Sequence, residues 1–479
     1  MKRYHLVFYV LLCLSLNSAI SQNVLNSYHF ATIEKQNLNY IPGLTPQYDV
    51  KAYYILYSSI DAHGDSTVAS GMCFVPDTDS CNFFPMISYQ HGTILKKFDV
   101  PSRLNGESLV GQIFCSLGNI CLCPDYLGLG DSPGLHPYCH GESEATAVVD
   151  FIRASRSMMA DSLGVSDNSQ VFLIGYSQGG HATMAAHKYI EENNLMDEIN
   201  VVASAPCSGP YDISGAQSEM MFNIPGYSSP GYLIYVLFAY NMVYNNIFDL
   251  PSEVLKSPYD VTIPPYLNGN FSSSQLSNAL PDSFHLFLVD SFYQVVIDDM
   301  DDKTSPFWQN LIDNNNYDWV PQAPVRMYYC SGDEQVAYMS SVNADSAMNA
   351  GGAPDVKSFD VYPSYGHGDC SLPAVVNAYY WFGTKMIPCQ PNAIISEVEK
   401  ARIEIYPNPA NDILFINGIH QCIVQCFDLQ GKLCFTSFVS ENDHSVDVSH
   451  LLPGMYMLQV CDMENSKRDY YFKLLIMRN

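Results

Sequence analysis

The sequence predicts an α/β fold, a mostly parallel sheet with helices on both faces, followed by a small all-β sandwich. Three observations predict it. Strand-like and helix-like patterns alternate over residues 45–390. The apolar run Val171 to Ile174 enters Gly175-Tyr176-Ser177-Gln178-Gly179, and a helix-forming segment leaves it. Past a polar stretch at 388–400, the chain breaks into short strands separated by turn signals.

At 479 residues the chain is too long for one ordinary domain, and 47% hydrophobic content supplies a large core. A formal charge of −27 leaves no basic surplus to neutralise phosphates, which excludes nucleic acid and anionic membrane surfaces as partners. Residues 1–21 read as a signal peptide cut before Gln22. Lys2 and Arg3 precede an apolar run from Leu6 to Leu16, with Ala19 and Ser21 before the cut. That run is too short to span a bilayer, and no transmembrane segment is expected in the mature chain.

Of 15 cysteines, Cys13 lies in the signal, and export exposes the rest to an oxidising compartment. Spacing suggests pairs Cys73 with Cys81 and Cys370 with Cys389, whereas Cys121, Cys207 and Cys330 in apolar strands read equally as buried thiols. No Cys-x-x-Cys or His-Glu-x-x-His occurs, so neither metal nor cofactor is expected.

Strands are predicted at 52–58, 69–75, 85–89, 119–124, 171–174, 200–205, 325–330 and 356–362, and helices at 106–117, 142–159 and 179–192. In a parallel sheet, chemistry gathers at the carboxyl ends of the strands, where Ser177 falls. Glycines two before and two after Ser177 let a strained strand-to-helix turn close and expose the hydroxyl.

Three more stretches surround it. Gln90-His91-Gly92-Thr93 ends the third core strand, where the amide of Gly92 or Thr93, together with that of Gln178, would form an oxyanion hole; His91 is read as shaping the loop. After the strand at Val325, Ser331-Gly332-Asp333-Glu334 presents the acid, Asp333, with Glu334 as competitor. After the strand at Val356, Tyr365-Gly366-His367-Gly368 presents a general base on a loop. The order Ser177, Asp333, His367 separates this chain from the trypsin and subtilisin orders. His136, His140, His181 and His187 follow no late strand and are read as packing or surface residues.

On these motifs the chain resembles the α/β-hydrolase superfamily. Gly-Tyr-Ser-Gln-Gly-Gly at 175–180, with Pro-Asp-Tyr-Leu-Gly-Leu-Gly at 124–130, resembles secretory lipases over roughly residues 45–385. The resemblance implies hydrolysis of carboxylic esters through Ser177, Asp333 and His367, with Asp125, Tyr126 and Tyr176 at substrate-binding positions. A polysaccharide acetyl or feruloyl esterase, a serine peptidase, and an adhesion protein on a degenerate hydrolase fold are the alternatives.

An insertion at about 210–322, rich in Tyr, Phe, Met and Pro, is predicted to be a helical cap. Its segment 230–246 is apolar nearly all round, so it covers a greasy site or adds to the core. Asp298-Asp299-Met300-Asp301-Asp302 lacks EF-hand spacing and reads as a solvated turn. The domain limits are therefore 22–390 for the catalytic body, 391–402 for a linker and 403–479 for the sandwich.

Tyr406-Pro407-Asn408-Pro409-Ala410, Phe427-Asp428-Leu429-Gln430-Gly431-Lys432 and Leu452-Pro453-Gly454-Met455-Tyr456 resemble the C-terminal sorting domain of the type IX secretion system. This implies that the secretion machinery recognises residues 403–479, and that the protein is secreted or attached to the outer-membrane surface. A carbohydrate-binding sandwich is the alternative.

Overall fold

A computed structural model describes residues 24–38, 41, 43–223, 227–389, 403–419, 421–428, 432–440, 443–463 and 469–478. The expected signal peptide, 1–21, and the whole of the expected linker, 391–402, lie outside these. The chain divides into two compact units, Met1–Pro391 and Asn392–Asn479.

The first unit is built on nine strands: β1 Val24–Ile33, β2 Asp49–Ile60, β3 Ser66–Asp77, β4 Phe83–Gln90, β5 Ile120–Pro124, β6 Ser166–Tyr176, β7 Val201–Cys207, β8 Val325–Tyr329 and β9 Val356–Asp360. Their order across the sheet is β1-β2-β3-β5-β4-β6-β7-β8-β9. The pairs from β5 to β9 are parallel, and β1, β2 and β3 extend one side antiparallel. Strands covered on both faces need apolar residues at every position, which is why Val171 to Ile174 is a continuous run rather than an alternation.

Helices α1 Ser108–Ser116, α2 Gly141–Ser162 and α3 Gln178–Glu192 follow the predicted spans closely. On one face, Phe151 and Ile152 of α2 and Ala182, Ala186 and Ile190 of α3 pack against Met86, Val171 and Leu173. On the other, Ile113 and Phe114 of α1 meet Ile87, Phe172 and Ile174, joined by Ala374, Ala378 and Phe382 of a helix at His367–Gly383. His367 thus opens a helix, where a loop was expected. Its preceding turn ends at Gly366, and Pro373 lies inside the helix rather than stopping it.

Between β7 and β8 the chain forms the helical insertion, with its own apolar cluster around Ile234, Leu237, Tyr240, Phe287 and Trp308. The segment predicted to be apolar all round is a helix at Gly231–Tyr244, buried within that cluster. In the acidic run, Asp299 accepts hydrogen bonds from the amides of Thr304 and Ser305, so it caps a turn.

Two expectations are corrected. The bridges are Cys81–Cys389 and Cys330–Cys370; Cys73 is a buried thiol and Cys330 is not. Cys73 lies mid-strand in β3 and fully buried, whereas Cys81 lies in the connection between β3 and β4, where it meets Cys389. Strand β1 was also unforeseen, because as a sheet edge it is largely exposed and shows no clean alternation.

The second unit holds antiparallel strands β10 Glu404–Tyr406, β11 Ile413–Asn417, β12 Cys422–Phe427, β13 Leu433–Val439, β14 Ser445–Asp447, β15 Gly454–Asp462 and β16 Asp469–Ile476. They form sheets β10-β11-β14 and β13-β12-β15-β16 around Leu414, Ile416, Val424, Leu458, Val460 and Leu474. Alternation is strict in β11 and β12, as expected of sheets with one buried face.

Candidate active site

Ser177 stands between β6 and α3 at φ 62°, ψ −124°, a strained backbone for a residue with a side chain. The strain persists because the neighbours leave no other room. A Cβ at Gly179 would strike Gln90 O, and one at Gly175 would strike Gly179 O. These glycines are what the turn demands, and Ser177 emerges 8% exposed.

His367 Nε2 lies 2.8 Å from Ser177 Oγ, and His367 Nδ1 lies 2.6 Å from Asp333 Oδ2. The partners assign the tautomer: Nδ1–H donates to the carboxylate, and Nε2 accepts from the serine hydroxyl. Asp333 is fixed in turn, since its Oδ1 accepts from the amides of Gln335 (2.9 Å) and Val336 (2.8 Å). Only Oδ2 is left for the imidazole. Asp333 and His367 are both buried, so solvent competes little for these bonds. Glu334 does not touch the ring; its Oε2 accepts the His367 amide at 3.0 Å.

The loop after β4 packs against the turn, with Gly92 Cα facing Tyr176 O. Gly92 N–H points to Glu107 Oε2 at 3.4 Å. Among the described residues, the amides of Thr93 and Gln178 have no partner. Thr93 Oγ1 hydrogen-bonds Tyr138 OH at 2.9 Å. His91 is fully buried, its ring nitrogens against Gly92 O and Asp125 O, consistent with a loop-shaping place.

Asp125, Tyr126 and Tyr176 do not line the cavity at the serine. Asp125 is buried and accepts from Ser102 N–H (2.9 Å) and Ser70 Oγ–H (2.6 Å), with burial holding its carboxyl above the ordinary value. Tyr126 donates to His91 O at 3.2 Å, and its ring lies tilted against that of His91 with centroids 4.2 Å apart. Tyr176 donates to His367 O at 2.6 Å. All three hydrogen-bond within the loops around the serine turn.

The cavity is lined at one end by Ser177, Gln178 and Tyr138 and elsewhere by Leu233, Val236, Phe222, Phe307 and Leu311 of the insertion. Leu233 and Val236 belong to the segment 230–246 expected to cover a greasy site or add to the core; Phe222, Phe307 and Leu311 were not singled out, because apolar side chains there look the same whether they face a core or a ligand.

None of the four other histidines is a surface residue. His136 Nδ1–H donates to Leu127 O (2.8 Å), and Nε2 receives the Gln178 side-chain amide (2.6 Å); burial pushes its pKa down to about 3, so it stays neutral. His140 caps α2. His187 bridges Ser204 and Glu191. His181 pairs with Glu144, whose other oxygen accepts from Gln178.

Among the described residues, Cys139, Glu144 and His181 are the one cluster with metal-ligand atoms within 4.8 Å of one another. Glu144 and His181 are already hydrogen-bonded, and burial pushes the Cys139 thiol well up, away from the thiolate a metal would need.

Residues 109–210 match the family model for secretory lipases, and residues 404–476 match that for the secretion system C-terminal sorting domain. No curated protein matches the chain. A chain described as a hydrolase from Legionella pneumophila is 26% identical, with TM-score 0.68, covering 75% of this chain and 97% of its own. A ligand-bound form of the rice cell wall degrading esterase LipA from Xanthomonas oryzae is 28% identical, with TM-score 0.66 and coverage of 74% and 94%. Candida antarctica lipase A in its closed state, 16% identical over 75% and 81%, shares the fold at TM-score 0.58. These likenesses support a hydrolase of the lipase and esterase kind on an α/β-hydrolase fold. The C-terminal module marks the chain for type IX secretion, to the cell surface or beyond. No helix among the described residues is long and apolar enough to cross a membrane.

Proposed function

We propose that this chain, a hydrolase of the lipase and esterase kind with a sorting module, is a secreted serine ester hydrolase. Residues 22–390 carry the chemistry, 403–479 carry the export signal, and 1–21 are a cleaved signal peptide. The observation that carries the proposal is the buried hydrogen-bonded series Ser177, His367, Asp333 opening onto an apolar cavity.

Ser177 Oγ attacks the ester carbonyl while His367 Nε2 takes its proton, and Asp333 stabilises the imidazolium that forms. The partnerless amides of Thr93 and Gln178 receive the oxyanion; Gly92, whose amide turns to Glu107, is the weaker donor. The alcohol leaves with the proton from His367, and water, deprotonated by the same ring, cleaves the acyl-enzyme. The acyl chain occupies the cavity lined by the insertion, which excludes water as a lid does. No cofactor takes part.

A fluorophosphonate should label the wild-type protein and not Ser177→Ala; equal labelling of the two would sink the proposal. The second reading, a polysaccharide esterase, is favoured by the name of the Xanthomonas oryzae neighbour. A series of nitrophenyl esters beside an acylated xylan separates the two. The apolar lining favours acyl chains longer than acetyl.

A further inference from the structure

His367 and Asp333 come from separate segments, one after β9 and one after β8. Their side chains meet at a single hydrogen bond, yet the segments are tied together around it. Cys330, three residues before Asp333, is bridged to Cys370, three residues after His367. Glu334 Oε2 accepts the His367 amide at 3.0 Å, and Ser331 Oγ–H reaches Pro363 O at 3.4 Å.

The Glu334 contact falls where it has most effect. His367 is the first residue of its helix, so its N–H has no partner within the helix and the helix terminus favours a negative charge. Burial pushes the Glu334 carboxyl up, but the hydrogen bond from the Gln335 side chain (3.0 Å) and that from the His367 amide outweigh it and hold the carboxyl below its ordinary value. Tyr176 OH–H secures the carbonyl of the same residue at 2.6 Å. The His367 backbone is therefore gripped at both its N–H and its C=O, while its ring is gripped by Asp333 and Ser177. Gly366 completes the fit, because a Cβ there would press on Glu334 Oε2.

We propose that Glu334 and the Cys330–Cys370 disulfide form one clamp that positions the His367 ring between Asp333 and Ser177. Glu334 is a positioning residue, not a second acid. The inference rests on the serine-hydrolase reading. Glu334 is exposed, so its loss leaves no cavity; its effect is on the reach of Nε2 to Oγ, to which catalysis is steeply sensitive.

The test uses the full chain and a nitrophenyl ester. Glu334→Ala should lower kcat about tenfold with KM and the urea midpoint unchanged, and Glu334→Gln, which keeps an acceptor oxygen, should restore most of it. A Cys330→Ser/Cys370→Ser variant should show a similar kcat loss, and adding Glu334→Ala to it should cost less than the product of the separate losses. Wild-type kcat in Glu334→Ala, equal impairment of the Ala and Gln variants, or a loss confined to KM overturns the clamp. The exposed Glu334 variants keep the test decisive should the serine pair not fold. Failure of the hydrolase reading would show separately, as a wild-type protein that no fluorophosphonate labels.

Discussion

Glu144 accepts the Nδ1–H of His181 at 2.6 Å, with neither side chain exposed, directly behind the serine turn. Its second oxygen accepts from Gln178 Nε2 at 2.8 Å, and His181 Nε2 reaches Asn314 O at 2.9 Å, at the end of the helical insertion. Removing one partner strands the other without solvent. Glu144→Ala should cost about 3–5 kcal/mol in urea unfolding. A loss below about 1 kcal/mol would mean that the pair is not charged.

Burial pushes the His181 pKa down, but the Glu144 carboxylate and its hydrogen bond outweigh this and leave it raised above 6.5. A raised value means that the folded state binds the proton more tightly than the unfolded chain. The stability it contributes is complete below about 6.5 and fades as pH climbs through the higher folded value. Wild-type protein should therefore lose stability relative to His181→Asn between pH 6 and 9. Parallel urea midpoints across that range would contradict the assignment.

Ser177, Asp333 and His367 were legible because each follows a strand on a glycine turn, a local pattern that needs no knowledge of the partner. Glu144 and His181 were not, since a carboxylate and an imidazole on separate helices carry no sign of burial until α2 and α3 pack. The buried places of Asp125 and Tyr126 were hidden for a related reason. The motif around them marks a buried support for the loop at His91, and sequence alone does not separate support from contact. The cysteine pairing failed because Cys81 and Cys389 are 308 residues apart, beyond any inference from spacing.

That bridge differs in role from the one beside His367. It ties the end of the first unit to the segment before β4 and lines no part of the cavity. A Cys81→Ser/Cys389→Ser variant should lose about 2–5 kcal/mol of stability. Its kcat at 25 °C should match wild type, as measured on the same nitrophenyl ester. A selective loss of kcat would show instead that the bridge reaches the active site.

Asp150 offers a route to a more stable protein. It is buried, accepts from Ser59 Oγ–H at 2.8 Å, and lies 3.7 Å from Arg153 Nη1. Burial pushes its pKa from 3.8 up to about 6, so the carboxylate opposes folding: stability is greatest below 3.8 and falls as pH rises towards 6. Asparagine keeps an acceptor for Ser59 and carries no charge. Asp150→Asn should gain about 2 kcal/mol at pH 8 and show a flatter profile between pH 4 and 6. Equal urea midpoints at pH 8 would show that Arg153 already offsets the burial.

We expect Phe222 to limit the length of ester chain that the cavity accepts. It lines the pocket from the insertion, only half-buried, and its ring meets Phe284 at 5.2 Å and Trp308 at 6.2 Å. Replacing it with alanine opens space beside the acyl chain without emptying a fully buried core position. Each extra methylene that finds apolar contact is worth about 0.8 kcal/mol, so room for two should raise the preference for a longer ester about tenfold. The measurement is kcat/KM for Phe222→Ala and wild type over nitrophenyl esters of increasing chain length. The optimum should move to longer chains while acetate turnover stays level; a uniform fall across the series would place Phe222 in the cap's stability rather than its selectivity.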